Sequence, residues 1–267
     1  MAVSFETILI ERRGAVEILT LNQPDSLNAL SPAMVVDLDG YFRGLAQRVD
    51  VRVVILRAQG RAFCAGLDMK AWPDADERSV AEAALATQTQ IGAIMRQMRA
   101  CPQPIIALGH GAACGGGFSL LLASDVRLGA PSLRMNCAYI KIGLGGCDMG
   151  SSYFLPRLVG ASLAAELILT GRFLDAGRAH RLGLLSEVVE EPDLLATGLV
   201  LAEEMLQTAP LGLRLSKQAL NLNIDAAGLE AAMALEDRQQ VMLSAMGNYT
   251  EALAAFREKR PPRFGPA

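Results

Sequence analysis

The sequence has few of the residues from which several common kinds of site are built. Its 267 residues include only two histidines, His110 and His180, and five cysteines that show no CxxC or CxxH spacing. A metal site is therefore not expected, and the odd cysteine count predicts free thiols in a reducing compartment. No GxSxG turn occurs either, so a hydrolase with a Ser-His-Asp triad has few ways to be built.

Charge and hydropathy exclude two further classes of partner. The formal net charge is −3 and the arginines are scattered along the chain, so the basic surface of a nucleic-acid-binding protein is absent. No apolar run reaches the length that spans a bilayer, and the first residues lack the basic start and apolar stretch of a signal peptide. We therefore expect a cytoplasmic protein without membrane or nucleic-acid partners, and 51% hydrophobic residues provide a substantial core.

The local patterns predict an α/β core followed by a helical C-terminal region. Ser31 and Pro32 are typical of a helix start, and they predict a helix to about Val49; a second helix is expected from about Ser79 to Arg99. Beyond residue 160, Ala- and Leu-rich segments predict helices, with LLSEVVE as the one clear strand candidate. The earlier strand candidates are the hairpin segments TILIER and AVEILTLN and the apolar runs VRVVILRA and PIIALGH.

A glycine-rich turn, GHGAACGGGFSLLLASD at residues 109–125, joins a strand candidate to a helix candidate. It is not a Rossmann fingerprint, because Cys114 stands where the third glycine belongs, and it is not a P-loop, because Phe118 and Ser119 replace Lys-Ser/Thr. One interpretation is that residues 115–117 open a helix whose free N–H groups face a developing negative charge. The alternative is that the glycines only allow a helix to pack closely on a strand.

A second segment, RAFCAGLDMK at residues 61–70, follows the strand candidate VRVVILRA. Together with the glycine-rich turn, this segment resembles the enoyl-CoA hydratase/isomerase (crotonase) superfamily. The fragments LNQPDSLNALS, SSYFLPRLVGASLAAELILTGR, RLGLLSEVV and FREKRPPRF extend the resemblance over almost the whole chain. It implies an α/β spiral of ββα units over residues 1–200, carrying an acyl-CoA site. It also implies a C-terminal helical trimerisation region over residues 201–267, and a homotrimer or hexamer.

The resemblance also assigns expected roles to individual residues. The family polarises a thioester carbonyl with two backbone N–H groups, which by motif position are those of Leu67 and Gly116. Coenzyme A enters as part of the substrate, with no separate cofactor and no metal. The expected CoA-binding residues are Arg61, Ala65, Asp68, Met69 and Lys70 in one loop and Phe256 and Lys259 near the C-terminus. Arg61 and Lys70 are equally typical of solvated loop charges.

The catalytic acids are where the sequence departs from the family pattern. Ser119 and Tyr139 occupy the positions of the two hydratase glutamates, and we expect both to line the acyl pocket instead. Asp148, in GLGGCDMG, remains as the expected acid or base, because its frame resembles the aspartate segment of dienoyl-CoA isomerases and 4-chlorobenzoyl-CoA dehalogenases. The alternative is that Asp148 forms a turn or caps the next helix. A structural ion pair between Asp125 and Arg127 is also expected.

The resemblance therefore implies an acyl-CoA enzyme that stabilises a thioester enolate and isomerises or hydrates an enoyl-CoA. Two alternatives stay open at the level of the sequence. The first is an acyl-CoA-binding protein that has lost catalysis together with both glutamates. The second is dehalogenase- or hydrolase-like chemistry at Asp148.

Overall fold

The structure is a computed structural model that describes residues 5–72 and 80–265. The strands in these ranges are β1 (Ile8–Arg13), β2 (Val16–Leu21), β3 (Val53–Ala58), β4 (Ile105–Gly109), β5 (Ala112–Cys114), β6 (Val126–Gly129), β7 (Arg134–Asn136), β8 (Leu174–Asp175) and β9 (Glu187–Val188). The helices are α1 (Pro32–Leu45), α2 (Val80–Ala100), α3 (Gly116–Ala123), α4 (Ser151–Val159), α5 (Ala161–Thr170), α6 (Ala176–Arg181), α7 (Leu194–Leu206), α8 (Pro210–Asn223), α9 (Leu229–Ser244) and α10 (Gly247–Glu258).

The main sheet has the strand order β1-β2-β3-β4-β6-β9. Its first pair is the predicted hairpin, antiparallel from Ile8 opposite Leu21 to Arg13 opposite Val16. All later pairs are parallel, and every residue of β2 and β4 is buried. Continuous apolar runs therefore indicated correctly that these strands are covered on both faces. One face packs on α1, α2 and α3, and the other packs on α7.

A second, smaller sheet was not predicted from the sequence. It has the order β5-β7-β8, with β5 parallel to β7 and β8 antiparallel to it. Its strands are two or three residues long, which is too short for an alternating pattern to appear. This sheet lies next to the glycine-rich turn, since β5 ends at Cys114 and α3 begins at Gly116.

The first helix begins as predicted and ends early. Ser31 is the N-cap and its Oγ accepts the Met34 N–H at 3.2 Å. The helix ends at Leu45, four residues before the predicted Val49, because the Gln103 amide binds the Leu45 carbonyl at 2.9 Å and turns the chain toward β3. The predicted start of the second helix, Ser79, lies outside the described residues.

The expected ion pair of Asp125 with Arg127 is wrong. Arg127 is buried in β6, where its guanidinium donates to the carbonyl oxygens of Leu184 at 2.8 Å and Ser124 at 2.5 Å. Carbonyls at the end of α3 need donors, so they take this side chain. Asp125 instead pairs with Arg99 at 3.2 Å and with Lys217 of α8 at 2.8 Å. These ion pairs attach a C-terminal helix to the core.

The C-terminal helices α8, α9 and α10 carry apolar side chains on their outer surface. Leu220, Leu229, Val241 and Phe256 are between 70% and 84% exposed. Across residues 5–72 and 80–265, none of the helices combines the length and the apolar character needed to cross a membrane.

Substitution of Gly117 by alanine tests how closely the backbone packs at the start of α3. A Cβ at Gly117 would lie 2.1 Å from the Cys64 carbonyl oxygen, so we expect Gly117→Ala to lower the free energy of unfolding by more than about 2 kcal/mol. Gly40→Ala in α1 is the matched control, because nothing lies within 4 Å of its added Cβ; it should raise stability by up to about 1 kcal/mol. Urea unfolding measures both, and equal effects would contradict the packing argument.

Candidate active site

The site is built where the loop after β3 lies against the glycine-rich turn. The Phe63 N–H donates to the His110 carbonyl at 2.9 Å, the Cys64 N–H to Ala112 at 3.0 Å, and the Cys114 N–H to Cys64 at 2.9 Å. These bonds extend β5 by one more short parallel segment. The loop that carries residues 65–70 is thereby held beside the start of α3.

Gly66 brings the two segments into direct contact. Its φ is +96°, a conformation that favours glycine, and a Cβ there would lie 2.8 Å from the Cys114 carbonyl oxygen and 3.7 Å from the Gly116 nitrogen. The next residue, Leu67, is bridged to Leu30 through its neighbours: the Leu30 N–H donates to Gly66 at 2.7 Å and the Asp68 N–H donates to Leu30 at 3.3 Å. The orientation of the Leu67 peptide is therefore fixed by the backbone.

Two backbone N–H groups at this contact have no acceptor. In the part of the chain that the structure describes, neither the Leu67 nor the Gly116 N–H donates to a protein atom. For Leu67 this follows from the parallel bridge, which uses the carbonyl before it and the N–H after it. For Gly116 it follows from its place as the first residue of α3, where N–H groups have no partner within the helix. Both expected carbonyl-polarising groups are thus free donors.

Ser119 and Tyr139 form a buried hydrogen-bonded pair. The Ser119 Oγ and the Tyr139 hydroxyl lie 2.8 Å apart, and both residues are buried. Burial raises the pKa of Tyr139 well above its ordinary value, which keeps the phenol neutral. The tyrosine ring also contacts the α3 N-cap, since a Cβ at Gly115 would lie 3.2 Å from it. The sequence places these two residues in one pocket but carries no signal for their mutual bond.

Asp148 lies at the edge of this region on the loop before α4. Its Oδ1 accepts the Met149 N–H at 2.6 Å and the side-chain amide of Gln88 from α2. The carboxyl group is half-buried, which raises the pKa of Asp148 against the lowering effect of these two donors. The N-cap of α4 is Gly150, so Asp148 is not the helix cap that one alternative predicted. Gln88 was not singled out from the sequence, since nothing in a single helix indicates a partner 60 residues away.

Asp148 is connected to the free N–H pair through its neighbour Met149. A Cβ at Gly116 would lie 3.1 Å from the Met149 sulfur, so the thioether covers the start of α3. Met149 has φ +46°, a conformation uncommon for a side-chain-bearing residue, and its backbone N–H is held by the Asp148 carboxylate. A cavity of about 650 Å³ opens on the other side of Met149, between α2 and α4.

The expected CoA-binding residues divide into two groups in the structure. Those of the loop lie together beside Leu67, with Arg61, Met69 and Lys70 exposed, while the Asp68 carboxylate accepts the Lys70 N–H at 3.1 Å and so shapes the turn. Those near the C-terminus, Phe256 and Lys259, lie at the end of α10, which packs on α9. Phe256 is 84% exposed. No cluster of His, Cys, Asp or Glu able to hold a metal occurs within the described ranges.

The comparisons with known proteins agree with this architecture. Residues 11–266 match the family model for enoyl-CoA hydratase/isomerase. The chain is 35% identical over 262 residues to the "Probable enoyl-CoA hydratase echA12" of Mycobacterium bovis, covering 96% of this chain and 92% of that protein. It is 30% identical over 259 residues to the 1,2-epoxyphenylacetyl-CoA isomerase of Escherichia coli, covering 97% and 98%.

Among solved structures, an enoyl-CoA hydratase from Bacillus anthracis superposes with a TM-score of 0.90 at 31% identity, covering 97% of this chain and 99% of that chain. The α/β fold with its C-terminal helices is therefore a crotonase fold. The chain belongs to the enoyl-CoA hydratase/isomerase family and is an enzyme of that family. The predicted resemblance is confirmed.

A double-mutant cycle tests the Ser119–Tyr139 bond. Ser119→Ala and Tyr139→Phe each remove one hydroxyl and leave the other hydroxyl buried without its hydrogen-bond partner. Each substitution should therefore lower the free energy of unfolding by about 1–3 kcal/mol. The double variant removes both partners and should cost less than the sum, with a coupling of about 1 kcal/mol. Chemical denaturation of the four proteins measures this coupling. Strictly additive losses would show that the two hydroxyls do not interact.

Proposed function

We propose that this chain forms and stabilises the enolate of an acyl-CoA thioester. The observation that carries the proposal is the pair of acceptor-free N–H groups, Leu67 and Gly116, at the contact of the loop with α3. A thioester oxygen that gains negative charge between them would receive two hydrogen bonds and the favourable field of a helix N-terminus. Donors held by the backbone need no reorganisation as the charge develops.

The proton chemistry favours isomerisation over hydration. The two positions at which hydratases carry glutamates hold Ser119 and Tyr139, and the raised pKa of Tyr139 excludes it as a base near neutral pH. We therefore assign the proton transfers that form and consume the enolate to the Asp148 carboxylate. This carboxylate removes a proton from C2 of a 3-enoyl thioester, and the electron pair moves onto the carbonyl oxygen. The same proton returns to C4, the double bond shifts to C2–C3, and the carboxylate is regenerated.

The alternative of an acyl-CoA-binding protein without catalysis is favoured by one specific observation. Ser119 and Tyr139 satisfy each other at 2.8 Å, so the former acid positions form a stable pocket wall that needs no substrate. This alternative predicts that Asp148 is dispensable. Covalent, dehalogenase-like attack by Asp148 is less well supported, because His110 contacts the Gly60 carbonyl oxygen at 2.8 Å and Tyr139 is bonded to Ser119, so neither assists Asp148.

We also propose how coenzyme A is held and how the chain assembles. The exposed Arg61 and Lys70 would meet the CoA phosphates, and Ala65, Asp68 and Met69 would lie along the adenine and pantetheine. Phe256 and Lys259 would reach a CoA molecule across a subunit boundary, in a homotrimer or hexamer formed by the C-terminal helices. The exposed apolar surface of α8, α9 and α10 supports this proposal. The division into a core of residues 1–200 and a helical region of residues 201–267 stays a prediction.

The Gly116 donor can be tested by removing its N–H. Gly116→Pro abolishes the donor, and we expect kcat/KM to fall by at least about 100-fold, the usual loss for one such group. A side chain at this position also clashes, because its Cβ would lie 2.5 Å from a Leu30 methyl carbon. Gly116→Ala is therefore the matched control, since it introduces the same Cβ and keeps the N–H.

The comparison of the two Gly116 variants isolates the hydrogen bond. Gly116→Pro should be at least about 10-fold slower than Gly116→Ala on a 3-enoyl-CoA, with both variants shown to be folded by circular dichroism. Equal rates for the two folded variants would assign the loss to the clash and remove Gly116 from the mechanism.

Asp148→Asn tests the proposed base. The substitution keeps the size and the hydrogen-bonding oxygen but removes the ionised form, so we expect kcat to fall by about 10²–10⁴-fold while acyl-CoA binding is kept. Asp175→Asn is the matched control, because Asp175 caps α6 with an oxygen that asparagine also supplies and forms no hydrogen bond with the proposed site residues. Full turnover by Asp148→Asn would contradict the assignment, and absence of turnover in the wild type with retained binding would support the binding protein.

The pH profile gives a second, independent measurement on Asp148. Burial raises its pKa, and proton abstraction needs the ionised form, so kcat/KM should increase as the pH rises through this raised value. The acidic limb should lie above the ordinary range of an aspartate. Gln88→Ala should shift this limb upward, since loss of the hydrogen bond that Gln88 donates raises the pKa of Asp148 further. A limb that does not move in Gln88→Ala would exclude Asp148 as its source.

A further inference from the structure

The cavity of about 650 Å³ between α2 and α4 begins at the proposed reaction centre. Met149 forms part of its wall and also covers Gly116, and Gln88 lines it while donating to Asp148. The volume is within the usual range for small-molecule pockets. If the thioester carbonyl of a substrate lies at the Leu67 and Gly116 N–H groups, its acyl chain can therefore extend into this cavity.

The cavity is lined by both apolar and polar side chains, and the Arg99 guanidinium carbon lies 5.9 Å from the centre of the Phe154 ring. Met95, Met149 and Phe154 provide the apolar wall, whereas Arg96, Arg99 and Asn221 bring polar groups to the lining. None of its lining residues is acidic. A pocket for an ordinary fatty acyl chain gains nothing from guanidinium groups, since contact with an apolar chain strips them of water.

Gly92 has no side chain and so leaves room for the Arg96 guanidinium beside the cavity. The Arg96 Nη1 lies 3.4 Å from the position that a Gly92 Cβ would take, and its Nη2 donates to the Thr89 carbonyl at 2.9 Å. The guanidinium thus lies along α2 at the mouth of the cavity, where Arg96 is exposed. Within residues 5–72 and 80–265 it forms no ion pair with a carboxylate.

Arg99 belongs to a group of cations that exceeds its counter-charge. Arg99 and Lys217 share the single carboxylate of Asp125, at 3.2 Å and 2.8 Å, and Arg99 also donates to Asn221. Arg99 and Lys217 thus share one anion, and Arg96, which lines the same cavity as Arg99, has no carboxylate partner in the described residues. Asp225 is paired with Arg157 at 2.6 Å and also accepts the Tyr153 hydroxyl.

We propose that this cavity binds an acyl group that ends in a carboxylate, with Arg96 and Arg99 as the residues that select it. This inference rests on the proposed function, since it takes the acyl chain to start at Leu67 and Gly116. The apolar wall contacts the methylene chain, and the ω-carboxylate receives charge-assisted hydrogen bonds at the arginine end. A methyl-ended chain of equal length forms no charge-assisted hydrogen bond with either arginine, so it binds more weakly.

Calorimetric binding of two saturated thioesters tests the selection without any need for turnover. We expect suberyl-CoA, which ends in a carboxylate, to bind the wild type more tightly than octanoyl-CoA. Arg96→Gln should weaken the binding of suberyl-CoA by about 10- to 100-fold and change the affinity for octanoyl-CoA little. The substitution removes a charged hydrogen bond that only suberyl-CoA makes. Arg96→Lys should recover part of the loss, and Arg181→Gln, on the exposed surface of α6, should leave both affinities unchanged.

The outcomes separate this inference from the proposed function. Equal affinities in the wild type, or a preference for suberyl-CoA of the same size in Arg96→Gln as in the wild type, would overturn the carboxylate selection while leaving the CoA site intact. Failure of both thioesters to bind would overturn the proposed function and this inference together. Binding with the expected preference but no turnover would keep the selection and move the chain to the non-catalytic alternative.

Discussion

Close contact between two backbone segments at the start of α3 is the constraint on which the site depends. The Cys64 carbonyl oxygen occupies the space where Gly117 would carry a Cβ, and Gly66 lies against Cys114 and Gly116. Any larger residue at these positions would separate the loop from the helix. Because the segments touch, the Leu67 peptide and the first peptide of α3 are held side by side with no acceptor between them. The same glycines therefore account for both interpretations of the turn, tight packing and free donors.

Most of the main sheet could be predicted, because its inner strands β2, β3 and β4 bury both faces. Runs such as VVILRA and IIALG are apolar except for Arg57, and turn residues separate them clearly. The strand β6 was not among the candidates. The second sheet could not be predicted, since strands of two or three residues are defined by their partners and not by their own pattern. The end of α1 shows the same limit: a side chain 58 residues away, Gln103, takes the carbonyl that would have continued the helix.

Motif position predicted which residues meet at the site but not how they interact. Leu67, Gly116, Ser119 and Tyr139 lie in three segments whose order and spacing follow the family pattern, so their proximity followed from the sequence. Three contacts depend instead on side-chain directions that are set by packing. They are the bond between Ser119 and Tyr139, the hydrogen bond from Gln88 to Asp148, and the ion pair of Asp125 with Lys217 in place of Arg127. Such contacts join residues on different elements and leave no local signature in the chain.

Hydroxyl groups at the two positions where the family pattern expects glutamates give this pocket different electrostatics. Two glutamates in a buried site raise each other's pKa and need water or substrate to satisfy them, whereas two hydroxyls at 2.8 Å satisfy each other and carry no charge. The remaining carboxylate, Asp148, then has no like charge in the described pocket to perturb it. Its pKa is set by burial against two donors, Gln88 and Met149. A site with one such group can move a proton from one carbon to another, but adding water needs a second group to hold and orient it. Under the proposed mechanism, the number of groups that can transfer a proton, and not the fold, decides between isomerisation and hydration.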